Sequence, residues 1–130
     1  MKPNAKTRRP SVFVVEDDDD NRLMMKVMLG MRGYRVVEAR DGEEALRLMD
    51  GDPPCLILTD LQLPRLNGFA LARRVRRTPE LSRVPIIVVS GHDPALHRPL
   101  AIAAGCDEYL FKPFDFDSLE TTIERLLLAA

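Results

Sequence analysis

Five consecutive acids, Glu16, Asp17, Asp18, Asp19 and Asp20, directly follow the apolar run 12–15 and hold a quarter of the chain's twenty carboxylates. Like charges at this density repel one another unless a cation or hydrogen bonds join them. Three more polar residues close later apolar runs: Asp60 follows 55–59, Ser90 follows 84–89, and Lys112, itself followed by Pro113, follows 109–111. An oxygen-only ligand set suits Mg2+ or Mn2+, whereas Zn2+ would ask for His or Cys. Ser90 adds a hydroxyl and Lys112 a compact positive charge. Together the set could hold three phosphoryl oxygens, one on the metal, one on Ser90 and one on Lys112.

These residues meet only if the runs before them are neighbouring strands. The segments 12–15, 34–39, 55–59, 84–89 and 109–111 are β-branched or aliphatic and too short for helices. Helical patterns alternate with them. In the first, Leu23, Met24, Val27, Met28 and Met31 are spaced to form one apolar face. The second opens at Asp41 with Glu44 three residues on, as in a capping box, and is stopped by Gly51, Asp52, Pro53 and Pro54. The third covers about 67–77, and the last about 115–128 with Leu119, Ile123, Leu126 and Leu127 inward. In the fourth, Pro99 would interrupt the interior at about 3 kcal/mol, so the helix is expected to start near Arg98 or to kink. Five βα units with near-continuous apolar strands predict a parallel sheet covered on both faces, with functional residues beyond the carboxyl ends of its strands. In the order 2-1-3-4-5, the first and third strands lie about 4.8 Å apart, and Glu16, Asp17 and Asp60 converge.

At 130 residues, 45% hydrophobic and 30% charged, the chain suits one domain, read as 11–130 behind a flexible tail at 1–10. A net charge of −1 gives no electrostatic footprint for nucleic acid or an anionic membrane. No apolar run approaches the roughly 20 residues of a membrane span. The basic residues before Val12 do not make a signal peptide, because the apolar stretch behind them ends at the acids. A cytoplasmic location follows as the expectation, and Cys55 and Cys106 read as small core residues in a reducing compartment, roughly 10 Å apart.

Four ordered stretches, VFVVEDDDDNR at 12–22, LILTDLQLPRLNG at 56–68, PIIVVSGH at 85–92 and AGCDEYLFKPF at 104–114, resemble the receiver domains of bacterial response regulators. The resemblance covers nearly the whole chain from Ser11 to Leu128. It implies a flavodoxin-like, doubly wound α/β fold with five parallel strands and five flanking helices. By position, it implies Asp60 as phosphoacceptor and Mg2+ (or Mn2+) held by Glu16, Asp17, Asp60 and the backbone carbonyl of Gln62. Lys112 would pair with the phosphoryl group, Ser90 and Tyr109 would be the switch residues, and the Lys112–Pro113 bond would be cis. The implied donor is a histidine kinase or histidine phosphotransfer protein. The output would be a changed surface on the fourth helix, fifth strand and fifth helix that meets a protein target or a second copy. Direct nucleic-acid binding is not implied. The chain reads equally as a stand-alone receiver or as one excised from a longer regulator or hybrid kinase.

Plainer readings compete at several positions. Asp18, Asp19 and Asp20 read as the start of a helix. An EF-hand fails, because counting from Asp17 its glycine position is Arg22 and its glutamate position is Met28. The basic set Arg65, Arg73, Arg74, Arg76 and Arg77 reads as a solvated face, His92 and His97 as solvated loop residues, and Met24, Met25, Met28, Met31 and Met49 as core filler. Outside the resemblance, Tyr109 would be a surface tyrosine. Two rival functions are disfavoured. A haloacid-dehalogenase-type phosphatase would need an acid where Gln62 stands, and a flavin carrier would need a Ser, Thr and Gly-rich first turn where this one is acidic.

Overall fold

The structure, a computed structural model, describes residues 11–129. The tail expected at 1–10 lies outside the described residues. The strands are β1 (Ser11–Val15), β2 (Arg35–Ala39), β3 (Leu56–Asp60), β4 (Ile86–Ser90) and β5 (Glu108–Phe111). The helices are α1 (Asp19–Gly30), α2 (Gly42–Met49), α3 (Gly68–Arg77), α4 (Pro94–Ala104) and α5 (Phe116–Ala129). All strand pairs are parallel, in the order β2-β1-β3-β4-β5. The strands begin and end within two residues of the sequence expectation.

The three central strands are apolar except at their ends, because both faces of the sheet are covered. Side chains alternate between two cores. Phe13, Val15, Ile57, Ile86 and Val88 face Ala45 and Met49 of α2, Leu71, Ala72 and Val75 of α3, and Ala101 of α4. Val12, Val14, Leu56, Leu58, Ile87 and Val89 face Met25 and Leu29 of α1 and Leu119 and Ile123 of α5. Burying each such aliphatic side chain stabilises by about 1.5–3 kcal/mol. Side-chain caps start the helices: Asp18 accepts from the amides of Asp20 and Asn21, Asp41 from Glu44, Asn67 from Ala70 and Asp93 from Ala95. The Glu44 carboxylate reaches the amide of Arg40 at 3.0 Å, one residue short of a true capping box.

Four expectations are corrected. The apolar face read on α1 is turned outward: Leu23, Met24, Val27 and Met31 are 51 to 76% exposed, while Arg22, Met25 and Leu29 face the sheet. Both stripes carry apolar residues, so periodicity does not choose between them; the phase is set where Asp18 caps the helix and Arg22 donates to the Glu16 carbonyl at 2.8 Å. Of the methionines read as core filler, only Met25 and Met49 are buried. Helix α4 starts at Pro94, four residues before Arg98, and includes Pro99. Pro94 sits in the first turn, where its missing N–H is no loss, and Ala95 and Pro99 are both exposed, so water can satisfy the carbonyl that Pro99 leaves free. The helix ends at Gly105, whose φ of 106° suits glycine. Arg76 is not a solvated residue. Its Nε donates to Gly105 O at 2.9 Å, its Nη1 to Ser82 O and Val84 O at 3.1 and 2.7 Å, and its Nη2 to Asp107 at 2.8 Å.

Candidate functional site

The sheet order brings the carboxyl ends of β1, β3, β4 and β5 to one crevice. Glu16 follows β1 and is held there by its amide, which donates to Ala39 O at 3.0 Å, and by Arg22 on its carbonyl. Asp60 ends β3, where the next amide, Leu61, donates to Val89 O at 3.1 Å. Ligand oxygens of Glu16, Asp17 and Asp60 all lie within 4.8 Å of one another. Glu16 is buried, Asp60 is half-buried and Asp17 is exposed, so the cluster opens to solvent on one side. Lys112, held where its amide donates to Ser90 O at 2.8 Å, places Nζ 3.2 Å from Asp60 Oδ2 and 3.8 Å from Glu16 Oε1.

One ammonium facing three carboxylates leaves the site short of positive charge. Burial, and next the charge of Asp60, push the Glu16 carboxyl up to about 7, against the pull of Lys112. A hard dication bound by oxygen would supply the missing charge, and the donor set fits one. Gln62, exposed in the β3–α3 loop, donates its backbone N–H to Asp60 Oδ1 at 3.4 Å.

Ser90 ends β4, and Tyr109 lies in the neighbouring β5. Ser90 is 2% exposed, and its Oγ accepts from the His92 amide at 3.0 Å. Tyr109 is fully buried, which overturns the surface reading, and its hydroxyl donates to the His92 carbonyl at 2.8 Å. Hydroxyl and phenol therefore meet at one backbone residue. The Lys112–Pro113 peptide is cis, as the resemblance implies. His92 and His97 are half-buried rather than solvated, with rings stacked at 4.7 Å.

Two features escaped the sequence. Arg22, an arginine at a helix position that faces the sheet, braces the backbone of Glu16; a charged residue in phase with Met25 and Leu29 was the available signal. Beside the acids, Met24, Met28, Pro113, Phe114 and Phe116 line an apolar groove of about 600 Å³ that also touches Glu16 and Lys112.

The chain matches the profile of the response regulator receiver domain over residues 12–124. It is 35% identical to the transcriptional regulatory protein AfsQ1 of Streptomyces coelicolor over 118 residues, 91% of this chain and 51% of that protein. It thus spans about half the length of that curated relative. Among solved structures, it superposes on the receiver domain of sensor histidine kinase PA1611 from Pseudomonas aeruginosa PAO1 with a TM-score of 0.84 at 32% identity, covering 92% of this chain and 98% of that one. That structure holds a magnesium ion coordinated in its active site cleft. The chemotaxis response regulator CheY4 of Vibrio cholerae superposes with a TM-score of 0.83 at 28% identity, covering 92% of this chain and 99% of that one. Sheet order, acidic crevice and profile agree, and the chain belongs to the response regulator receiver domain family, the signalling modules of two-component systems.

Proposed function

We propose that Asp60 accepts a phosphoryl group from the phosphohistidine of a histidine kinase or phosphotransfer protein, and that Glu16, Asp17, Asp60 and the backbone carbonyl of Gln62 hold the Mg2+ (or Mn2+) that the reaction needs. The observation that carries this reading is the cluster itself: three carboxylates within 4.8 Å, with Lys112 3.2 Å from one of them. The magnesium in the cleft of the PA1611 receiver supports the choice of ion. When bound, the cation would neutralise charge on the carboxylate and the incoming phosphoryl oxygens. An Asp60 carboxylate oxygen forms the new P–O bond while the donor's P–N bond breaks, and the donor imidazole keeps the electron pair and takes up a proton. Lys112 pairs with one phosphoryl oxygen, and Ser90 Oγ donates to another. Water attack at the same phosphorus returns Asp60 to its carboxylate, so the domain assists its own phosphorylation and slow dephosphorylation.

Exposed Met24 of α1, with Met28, lines the groove beside Glu16 and Lys112 and gives it an apolar edge suited to a protein donor. For output, drawing Ser90 toward the phosphoryl group pulls on His92, and through the His92 carbonyl on Tyr109, repacking α4 and β5. Leu96, Leu100 and Ile102 of α4 and Phe111 of β5 are exposed and give that surface an apolar character suited to a protein target or to a homodimer formed on phosphorylation. The reading places the domain in the cytoplasm with its donors and gives it no direct contact with nucleic acid.

The test is intact mass after incubation with a small acyl phosphate, with and without Mg2+. Wild type gains one phosphoryl mass only with the cation, and Asp60→Asn gains none. Equal labelling of the two proteins contradicts the reading.

A further inference from the structure

The β3–α3 loop contains the one non-glycine residue with positive φ among the described residues, Arg65 at 65°. The amide of Leu66 donates to the carbonyl of Pro64 across it at 2.7 Å. A two-residue bond spanning a positive central φ is the rarer and more strained of the two γ-turns, and a long side chain is an unfavourable occupant. Strain of this kind persists only where the surroundings over-determine it.

The surroundings here are the start of α2. Arg65 Nη1 lies 2.6 Å from Asp41 Oδ2, and Asp41 is almost fully buried. Its other oxygen, Oδ1, caps α2 by accepting the Glu44 amide at 2.8 Å. Both oxygens are therefore engaged, and the carboxylate cannot leave without uncapping the helix. Backbone contact reinforces the pair: a Cβ on Gly42 would come within 2.9 Å of the Leu66 carbonyl, so only glycine lets the two segments approach this closely. At the other end, the Gly68 amide donates to Leu61 O at 2.9 Å and closes the base of the loop. Residues 61–68 are thus fixed at their base and at Arg65, and Gln62 lies between the two anchors.

We infer that Arg65 is a positioning residue for the metal site: its ion pair with the capping carboxylate of Asp41 holds the strained turn and thereby fixes the Gln62 carbonyl as a ligand. The inference rests on the proposed cation site and concerns how the chain shapes it. A backbone carbonyl has no side-chain rotamer to adjust, so its direction depends on the loop alone, and supporting partners of metal ligands typically control affinity by about 10- to 100-fold.

The experiment is Mg2+ titration of the whole chain by calorimetry, with thermal unfolding of the same samples. Arg65→Gln removes the charge and should weaken Mg2+ binding about tenfold. Arg65→Lys keeps the charge without the planar fork and should recover part of that loss. Asp41→Asn still caps α2 but gives up the ion pair, and should weaken Mg2+ binding as Arg65→Gln does. Wild-type affinity in both Arg65→Gln and Asp41→Asn overturns the positioning role while leaving the metal site in place. Equal weakening by Arg65→Lys and Arg65→Gln overturns the ion pair as its basis. Failure of wild type to bind Mg2+ overturns the metal site and this inference with it.

Discussion

The two ends of the same sheet treat charge in opposite ways. At the amino ends of β4 and β5, Arg76 satisfies three carbonyls and Asp107, and Asp107 also accepts the Ile86 amide at 2.8 Å. Both members of that ion pair are met within the chain. At the carboxyl ends, Glu16 and Asp60 share one lysine with Asp17 close beside them, and the Glu16 carboxyl is pushed up to about 7 by burial and by Asp60. Satisfied charges hold a fold together, whereas unmet charge inside a crevice is an incomplete binding site.

The largest effect expected from breaking this contrast is at Lys112. Lys112→Ala should slow phosphorylation of Asp60 by a small acyl phosphate about 100-fold or more, because a positioned charge facing the transferring group is lost. Removing the ammonium that offsets Glu16 and Asp60 should also lower urea stability, but by no more than about 1 kcal/mol, because the Lys112 side chain is one-third exposed. Time courses by intact mass check the first part and equilibrium unfolding the second.

Arg76→Ala should do the reverse. Leaving Gly105, Ser82 and Val84 carbonyls and Asp107 without their donor should cost about 2–3 kcal/mol in urea unfolding. The phosphorylation rate should hold, provided it is measured well below the unfolding midpoint. A rate that falls with stability would mean the two ends are coupled more tightly than this account allows.

A pH dependence sharpens the same point. In the folded, cation-free protein Glu16 keeps its proton up to about pH 7, against an ordinary value of 4.5. Between these values the folded state binds more protons than the unfolded, so stability from this group falls as pH rises through the window and levels off above 7. Mg2+ favours the ionised form and should flatten that fall. Comparing urea midpoints at pH 5 and pH 8, with and without Mg2+, should show a slope that is absent in Glu16→Gln; an identical slope in that variant assigns the effect elsewhere.

Much of the site was legible because its parts are local. Each functional residue follows an apolar run, and the strand order alone brings them together. What was not legible depends on contacts between distant segments. The outward face of α1 carries as regular an apolar pattern as the buried one, and only the tie between Arg22 and the Glu16 carbonyl sets which is inside. The start of α4 at Pro94 depends on Pro99 being exposed, which the sequence does not state. Arg65 and Asp41 are 24 residues apart, and nothing local to either reveals the pair. Arg76 likewise reads as one of several surface arginines until its acceptors fold around it.

The central claim, that the charge left unmet at the carboxyl ends of the strands makes Asp60 a phosphoryl acceptor, is tested most directly by locating the modification. After phosphorylation in Mg2+, borohydride reduction converts an aspartyl phosphate to homoserine, which peptide mapping by mass spectrometry identifies. The account predicts homoserine at position 60 and nowhere else. Reduction at Glu16 or Asp17 instead, or a phosphoryl group that resists borohydride and remains on Ser90 or His92, would contradict it.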